Sequence, residues 1–287
     1  SLALVVSFTS QIAILGVYDA MYRYFFEKED AENQQQVASS ALCITLCSGL
    51  IDTVILIAFQ KPLAYLVFSD EAMSPLMYII AAYTYSTALN AIIAAPTRMR
   101  NQRGRYLLIN GITSFCIYAI ALPLVLQGYY LYAMPLAAMV TSLLSVAAFW
   151  FYNHGEFSLG CVQMDKIRDL LKLGIPCVPS FIFYWILNSA QLVIITNILG
   201  MQSTGIYSVG AKIATISQLI YAAFAAGWQY FAFSTMKDAD HIQLISKVFD
   251  YLGAISAFTT GCVILFIKPV FGLLFPPAYS AGVVVVP

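Results

Sequence analysis

Long apolar stretches alternate with short polar connectors along most of the chain. Each stretch has about the 20 residues that an α-helix needs to cross the hydrocarbon core of a bilayer. None of them shows the sustained alternation of apolar and polar positions that is typical of membrane strands. The pattern predicts eight transmembrane helices and the start of a ninth near residue 279, at 2–26, 37–59, 73–96, 106–127, 131–152, 175–199, 206–233 and 248–267.

The composition agrees with a membrane protein. Hydrophobic residues make up 61% of the chain and charged residues 10%, whereas an ordinary soluble domain carries about 25% charged residues. So few polar side chains cannot cover the surface of a soluble protein of this size. The 14 basic residues are balanced by 14 acidic residues, so there is no basic excess of the kind that nucleic-acid binding requires. We therefore predict an all-α polytopic membrane protein, with the lipid bilayer and not nucleic acid as its surroundings.

Basic residues are distributed unequally between the two sets of connectors. The connectors 27–36, 97–105, 153–174 and 234–247 are charged, and those between them are short or nearly uncharged. With the helix ends included, the charged side carries Arg23, Lys28, Arg98, Arg100, Arg103, Arg105, Lys166, Arg168, Lys172, Lys237 and Lys247. The other side carries only Lys61 and Lys268. The positive-inside rule then places the charged connectors in the cytoplasm.

Two segments at helix ends of the same side resemble each other. The segment FQKPLAYLVF at 59–68 aligns with FIKPVFGLLF at 266–275, which is an offset of 207 residues. Six predicted crossings separate the two segments, so they belong to parallel repeats related by an axis along the membrane normal. The repeat predicts two lobes of six helices each.

The repeat also predicts the division of the chain. We expect an N-terminal lobe at 1–152, a cytoplasmic inter-lobe loop at 153–174 and a C-terminal lobe at 175–287. Helix 175–199 has no counterpart in the first half, and the last residues stop inside an apolar stretch. We therefore expect a chain that is truncated at both ends.

Several short segments carry a family resemblance through their order and spacing. They are LLKLGIP at 170–176, VPS at 178–180, WILN at 185–188, GIYSV at 205–209, Trp228 with FAF at 231–233, and RYFFE at 23–27. Together they resemble the polysaccharide repeat-unit flippases (Wzx type) of the MOP superfamily, which also contains the MATE drug exporters and the lipid II flippases. The resemblance runs through most of the chain and is densest between residues 166 and 240.

This resemblance implies a transporter with a central cavity whose access alternates between the two membrane faces. The implied cargo is an undecaprenyl-diphosphate-linked oligosaccharide, moved from the inner to the outer leaflet of the bacterial inner membrane for surface polysaccharide such as O-antigen. A polysaccharide polymerase and other glycan-assembly proteins are the implied partners. Drug exporters share the fold, so a proton- or sodium-coupled multidrug exporter is the alternative.

An enzyme is the third class considered, and the sequence argues against it. His154 and His241 fall in predicted cytoplasmic loops, and no Ser/His/Asp or Cys/His set converges on one depth of the membrane. The six cysteines form no CxxC pair and show no metal-ligand spacing. We expect no catalytic residues, no cofactor and no metal site.

Two cations inside predicted helices are candidates for binding an anionic cargo. Arg23 follows Asp19 by four residues, so it either pairs with that carboxylate or faces a diphosphate at the inner mouth of the cavity. Lys212 lies about 9 Å into its helix at 1.5 Å per residue. It either extends to the membrane surface or faces the cavity, and the resemblance favours the cavity, because a lysine after the tyrosine motif is typical of the family.

Polar residues in the helices supply further candidates. Asn188 and Gln191 lie three residues apart in the helix that opens the second lobe, where both can line the cavity and bind sugar hydroxyls. Asp52 lies in the outer half of its helix and is either a partnered polar group between helices or a site for a proton or sodium ion. Asp19 is the second candidate for ion coupling.

The predicted orientation is testable by thiol labelling. Single cysteines are placed at Gly104 and Gly155, in the charged connectors, in a background without the native cysteines. Both should resist membrane-impermeant thiol reagents in intact cells and react after the membrane is permeabilised. Labelling of both from outside would reverse the orientation.

Overall fold

A computed structural model describes residues 2–28, 30–68, 71–235 and 240–274, and for some helical residues, most of them between 188 and 223, it describes the backbone alone. The helices are α1 Leu2–Ile14, α2 Val17–Glu27, α3 Ala31–Ala58, α4 Gln60–Phe68, α5 Pro75–Met99, α6 Arg103–Leu126, α7 Tyr130–Asn153, α8 Met164–Gly174, α9 Val178–Ser234 and α10 His241–Leu274. No strand occurs in these ranges. The all-α prediction is confirmed.

Six helical segments of the described chain are long and apolar enough to cross a membrane. They are Ala31–Ala58, Pro75–Met99, Arg103–Leu126, Tyr130–Glu156, Met164–Leu187 and His241–Leu273. Their outward side chains are largely apolar, as the hydrocarbon of a bilayer requires. The protein is therefore a multi-pass membrane protein, as predicted.

The predicted helix 2–26 is divided into α1 and α2 by a sharp break. Leu15 and Gly16 both have left-handed backbone conformations, with φ of 53° and 68°. Glycine adopts this conformation without strain, whereas a residue with a Cβ atom pays roughly 1–2 kcal/mol. The apolar pattern continues across the break, which is why the sequence predicts one helix there.

A second glycine explains why the break is held. A Cβ atom on Gly16 would lie 2.4 Å from the carbonyl oxygen of Gly174, and a Cβ atom on Gly174 would lie 2.6 Å from that of Leu15. The end of α8 thus crosses the break at backbone contact, and neither position has room for a side chain. This crossing sets the direction in which α2 leaves α1.

Helix α5 is the central helix of the first part of the chain, with α1, α3 and α7 packed against it. An apolar cluster at one end joins α1, α3, α4 and α5 through Val6, Leu56, Ala64, Met77, Ile80 and Ala81. Hydroxyl and amide groups connect the helices elsewhere, as they do in other membrane bundles. Ser86 Oγ donates to Ser142 Oγ at 2.9 Å, and Asn153 Nδ2 donates to the Ile93 carbonyl at 2.7 Å.

The predicted inter-lobe loop contains helix α8 and is attached to α3. The Ser158 amide donates to Ser39 Oγ at 2.9 Å, and Lys166 Nζ donates to Asn33 Oδ1 at 2.7 Å. Two compact units are found, Ser1–Trp185 and Ile186–Pro287. The two-lobe division and the parallel repeat stay predictions.

The second unit contains most of α9 and all of α10. Helix α9 is interrupted at Gly200, where φ is 80° and ψ is 175°. The interruption falls at the start of the predicted connector 200–205. The next residues are helical again, so the connector is a glycine break and not an open loop.

The Gly16–Gly174 crossing predicts that a side chain at either glycine destabilises the protein. Gly174 has helical backbone angles, so alanine there is conformationally favourable and only the contact with the backbone of residues 15–17 opposes it. Gly174→Ala should lower stability by about 1–3 kcal/mol, the usual cost of overpacking. Thermal unfolding in detergent measures this. Gly155→Ala is the matched control, because a Cβ atom on Gly155 meets nothing within 4 Å. Equal stability of the two variants would contradict the crossing.

Candidate functional site

A half-buried arginine and three tyrosines form the most distinctive polar cluster of the first unit. Arg98 lies in the last turn of α5, with Tyr18 and Tyr22 on α2 and Tyr106 on α6. Its guanidinium carbon stands 4.6 Å from the ring centroid of Tyr106 and 6.0 Å from that of Tyr18. The guanidinium donates a hydrogen bond to the Tyr18 hydroxyl, which donates in turn to Tyr22 at 3.5 Å. We call this group the Arg98 cluster.

The local fold explains how the cluster assembles. Tyr18 and Tyr22 are four residues apart, so both project from one face of α2, and their ring centroids are 5.2 Å apart. The break at Leu15 and Gly16 directs α2, so it also fixes where this tyrosine pair lies. A cation in the last turn of α5 is favoured by the negative end of the helix dipole.

The charge of Arg98 is not neutralised by a carboxylate of the described chain. The neighbouring Arg100, by contrast, pairs with Glu156 at 2.5 Å. Arg98 instead contacts aromatic faces and a phenol oxygen, which attract a cation without cancelling its charge. The arrangement therefore holds a positive charge in a fixed position, partly removed from water. An anion with paired oxygens, such as a phosphate group, is the ligand that a guanidinium binds best.

A second polar region lies along α3, where it packs on α1 and α5. Thr9 of α1 shares a hydrogen bond of 2.9 Å with Thr84 of α5, and Ser48 donates to the Ala13 carbonyl at 2.5 Å. Gly49 lies under the Tyr85 ring, since a Cβ atom there would be 2.7 Å from it. Asp52 follows Gly49 by three residues and Ser48 by four, so it continues the same face of α3.

Three buried side-chain oxygens of the described chain have no hydrogen-bond partner there, and all three are on α3. They are Thr45 Oγ1, Asp52 Oδ2 and Thr53 Oγ1. Buried polar atoms are almost always paired, so each exception indicates water, an ion or a proton that satisfies it. Asp52 is the titratable member and its side chain is half-buried, and its role in ion coupling stays a prediction.

The predicted cargo-binding residues are placed as follows. Arg23 is exposed on α2. Both alternatives for it, a pair with Asp19 and a contact with the diphosphate, stay predictions, and an exposed pair of this kind contributes little to stability. The side chains of Lys212, Asn188 and Gln191 lie outside the described residues.

Arg98 is the site residue that the sequence interpretation missed. It is counted among the basic residues that orient the protein, because it lies in the charged connector 97–105. Its partial burial depends on α2, which is distant in sequence, and on Tyr106 in the first turn of α6. The signal that was available is the pair Tyr18 and Tyr22 at helical spacing in the same helix as Asp19 and Arg23.

Among the described residues, no three His, Cys, Asp or Glu side chains come together as a metal site requires.

Comparison with known proteins gives one finding. The family described as "Polysaccharide biosynthesis protein" matches residues 1–274. No curated protein and no solved structure matches the chain. The family match covers nearly the whole sequence, including both the Arg98 cluster and Asp52, and it agrees with the resemblance carried by the motifs. The chain belongs to the polysaccharide biosynthesis protein family.

Proposed function

We propose that the protein moves lipid-linked oligosaccharide repeat units, joined to undecaprenyl diphosphate, from the inner to the outer leaflet of the bacterial inner membrane. The family supports a role in making polysaccharide, and the multi-pass helical fold supports a transporter rather than an enzyme. The observation that carries the proposal is Arg98, a fixed cation without a carboxylate partner in the described chain. A cationic drug would be repelled by such a group, so the Arg98 cluster favours the anionic glycan lipid over the multidrug alternative.

The diphosphate is the part of this cargo that crosses the membrane with most difficulty. An unpaired anion in an apolar environment costs many kcal/mol, and the cost falls when charged hydrogen bonds replace its water. The Arg98 guanidinium supplies such bonds in a position already fixed by Tyr18 and Tyr106. Because those partners are neutral, the phosphate displaces no carboxylate and leaves no buried acid unpaired.

Other residues extend the proposed path. Arg23 is exposed on the same helix as the tyrosine pair and serves as an earlier contact for the diphosphate. Lys212 serves as a later cation in the second lobe. Asn188 and Gln191 bind sugar hydroxyls as the glycan passes. A polysaccharide polymerase and other glycan-assembly proteins receive the cargo at the outer surface.

Asp52 is proposed to couple transport to an ion gradient. A proton or a sodium ion on the buried Oδ2 atom would satisfy the oxygen that has no partner in the described chain. Occupancy of this position changes the charge on α3, so it favours one arrangement of the packed helices over another. Asp19 on α2 is the second candidate for this role.

Replacement of Arg98 tests the proposed function. Arg98→Gln should lower surface glycan at least tenfold, because charged hydrogen bonds of about 1.5–3 kcal/mol are lost. Arg98→Lys should retain part of the activity, since it keeps the charge without the planar fork. Protein abundance should not change. Surface glycan and lipid-linked precursor are measured in cells.

Three further variants make the test of Arg98 specific. Lys61→Gln removes an exposed cation elsewhere in the chain and should have no effect. Tyr106→Phe keeps the ring below the guanidinium and should retain activity, whereas Tyr106→Leu removes it and should not. Normal surface glycan in Arg98→Gln cells with normal protein abundance would refute the proposal.

Replacement of Asp52 tests ion coupling separately. Asp52→Asn keeps the shape but removes the titratable group and the buried charge. The variant should be at least as stable as the wild type, because an unpaired buried carboxylate is removed. Transport in vesicles should lose its response to an imposed proton or sodium gradient. A variant that still responds fully to both gradients would exclude Asp52 from coupling, without affecting the role of Arg98.

A further inference from the structure

The turn between α5 and α6 carries a concentration of positive charge that the proposed transport path does not use. Its exposed residues include Arg100, Arg103 and Arg105, and we call residues 100–105 the arginine turn. Arg100 is neutralised by Glu156 at 2.5 Å. Arg103 and Arg105 have only neutral partners in the described chain, so two full positive charges remain at this surface.

The neutral partners hold both guanidinium groups in place and leave donors free. Arg103 Nε donates to Asn101 Oδ1 at 2.6 Å, and Arg105 Nη1 donates to Gln102 Oε1 at 3.1 Å. A guanidinium has five N–H donors. The edge of Arg103 that its two terminal nitrogens form therefore stays available to a ligand. In Arg105 the available edge is the one formed by Nε and Nη2. Each edge matches the spacing of two phosphate oxygens.

Aromatic and apolar side chains adjoin the arginine turn, on α6, which begins there, and on the last turn of α7. The Arg105 guanidinium carbon stands 5.5 Å from the ring centroid of Tyr152 on α7. Leu107 and Leu108 on α6 and Phe151 on α7 are more than half exposed. A band of aromatic rings between charged groups and exposed apolar side chains is typical of the boundary between headgroups and hydrocarbon.

We infer that the arginine turn binds the phosphate of an anionic phospholipid of the inner leaflet, with the acyl chains along the exposed apolar faces of α6 and α7. The positive-inside distribution assigns this turn to the cytoplasmic leaflet, where anionic lipids attract basic segments. Charge complementarity selects an anionic headgroup over a zwitterionic one. The surface is separate from the Arg98 cluster, where the cation is partly buried among tyrosines, so this inference does not depend on the proposed cargo.

Quenching by brominated lipids tests the inference. Leu108→Trp places a reporter one turn from Arg105, in a background where Trp150, Trp185 and Trp228 are phenylalanine. The protein is reconstituted in phosphatidylcholine vesicles that contain either brominated phosphatidylglycerol or brominated phosphatidylcholine at equal fractions. Quenching should show at least about a fivefold preference for phosphatidylglycerol, since each arginine near the surface contributes about that factor.

Substitution of the two unpaired arginines should remove this preference. Arg103→Gln with Arg105→Gln should bring the ratio close to one, and Lys61→Gln, which removes an exposed cation elsewhere, should leave it unchanged. Native mass spectrometry of protein with its natural tryptophans gives a second measurement, in which phosphatidylglycerol adducts should exceed phosphatidylcholine adducts by a similar factor. Equal binding of the two lipids by the natural protein, or a preference that persists in the double variant, would overturn the inference.

Discussion

An arginine inside a membrane protein is stable only when its charge is met by suitable partners, and the way Arg98 meets this requirement organises the first unit. Its guanidinium joins three helices, because Tyr18 and Tyr22 come from α2, Tyr106 comes from α6 and the arginine itself ends α5. A carboxylate partner would have produced a neutral structural bridge. Aromatic partners instead stabilise the position of the cation and leave its charge able to attract an anion.

The geometry of this cluster depends on a backbone contact some distance away along the chain. The Gly16–Gly174 crossing holds the break between α1 and α2, and that break sets the face of α2 that carries the tyrosines. Gly174 is also the last residue before the segment that leads to the second unit. A backbone crossing at this point therefore links the entry to the second unit with the helix that carries part of the candidate site.

The sequence was sufficient to predict the features that depend on composition and on the length and spacing of the apolar stretches. The length of the apolar stretches identified a helical membrane protein, and the motifs identified its family, which the match over residues 1–274 confirms. The break at Leu15 and Gly16 was not predicted, because the apolar pattern is unchanged there and only contact with Gly174 reveals it. The Arg98 cluster was missed for the same reason, since α2, which carries Tyr18 and Tyr22, is distant in sequence from Arg98. The role of Arg23 stays a prediction, because its spacing from Asp19 permits both a pair with that carboxylate and a contact with the cargo.

The central claim is that Arg98 recognises the diphosphate of the cargo, and binding to purified protein tests it most directly. The protein is placed in lipid nanodiscs, and its affinity is measured for a polyprenyl-diphosphate oligosaccharide and for the same glycan on an uncharged polyprenol. We predict that the natural protein binds the diphosphate form at least tenfold more tightly, and that Arg98→Gln binds the two forms with similar affinity. A preference for the diphosphate that is unchanged in Arg98→Gln would contradict the account.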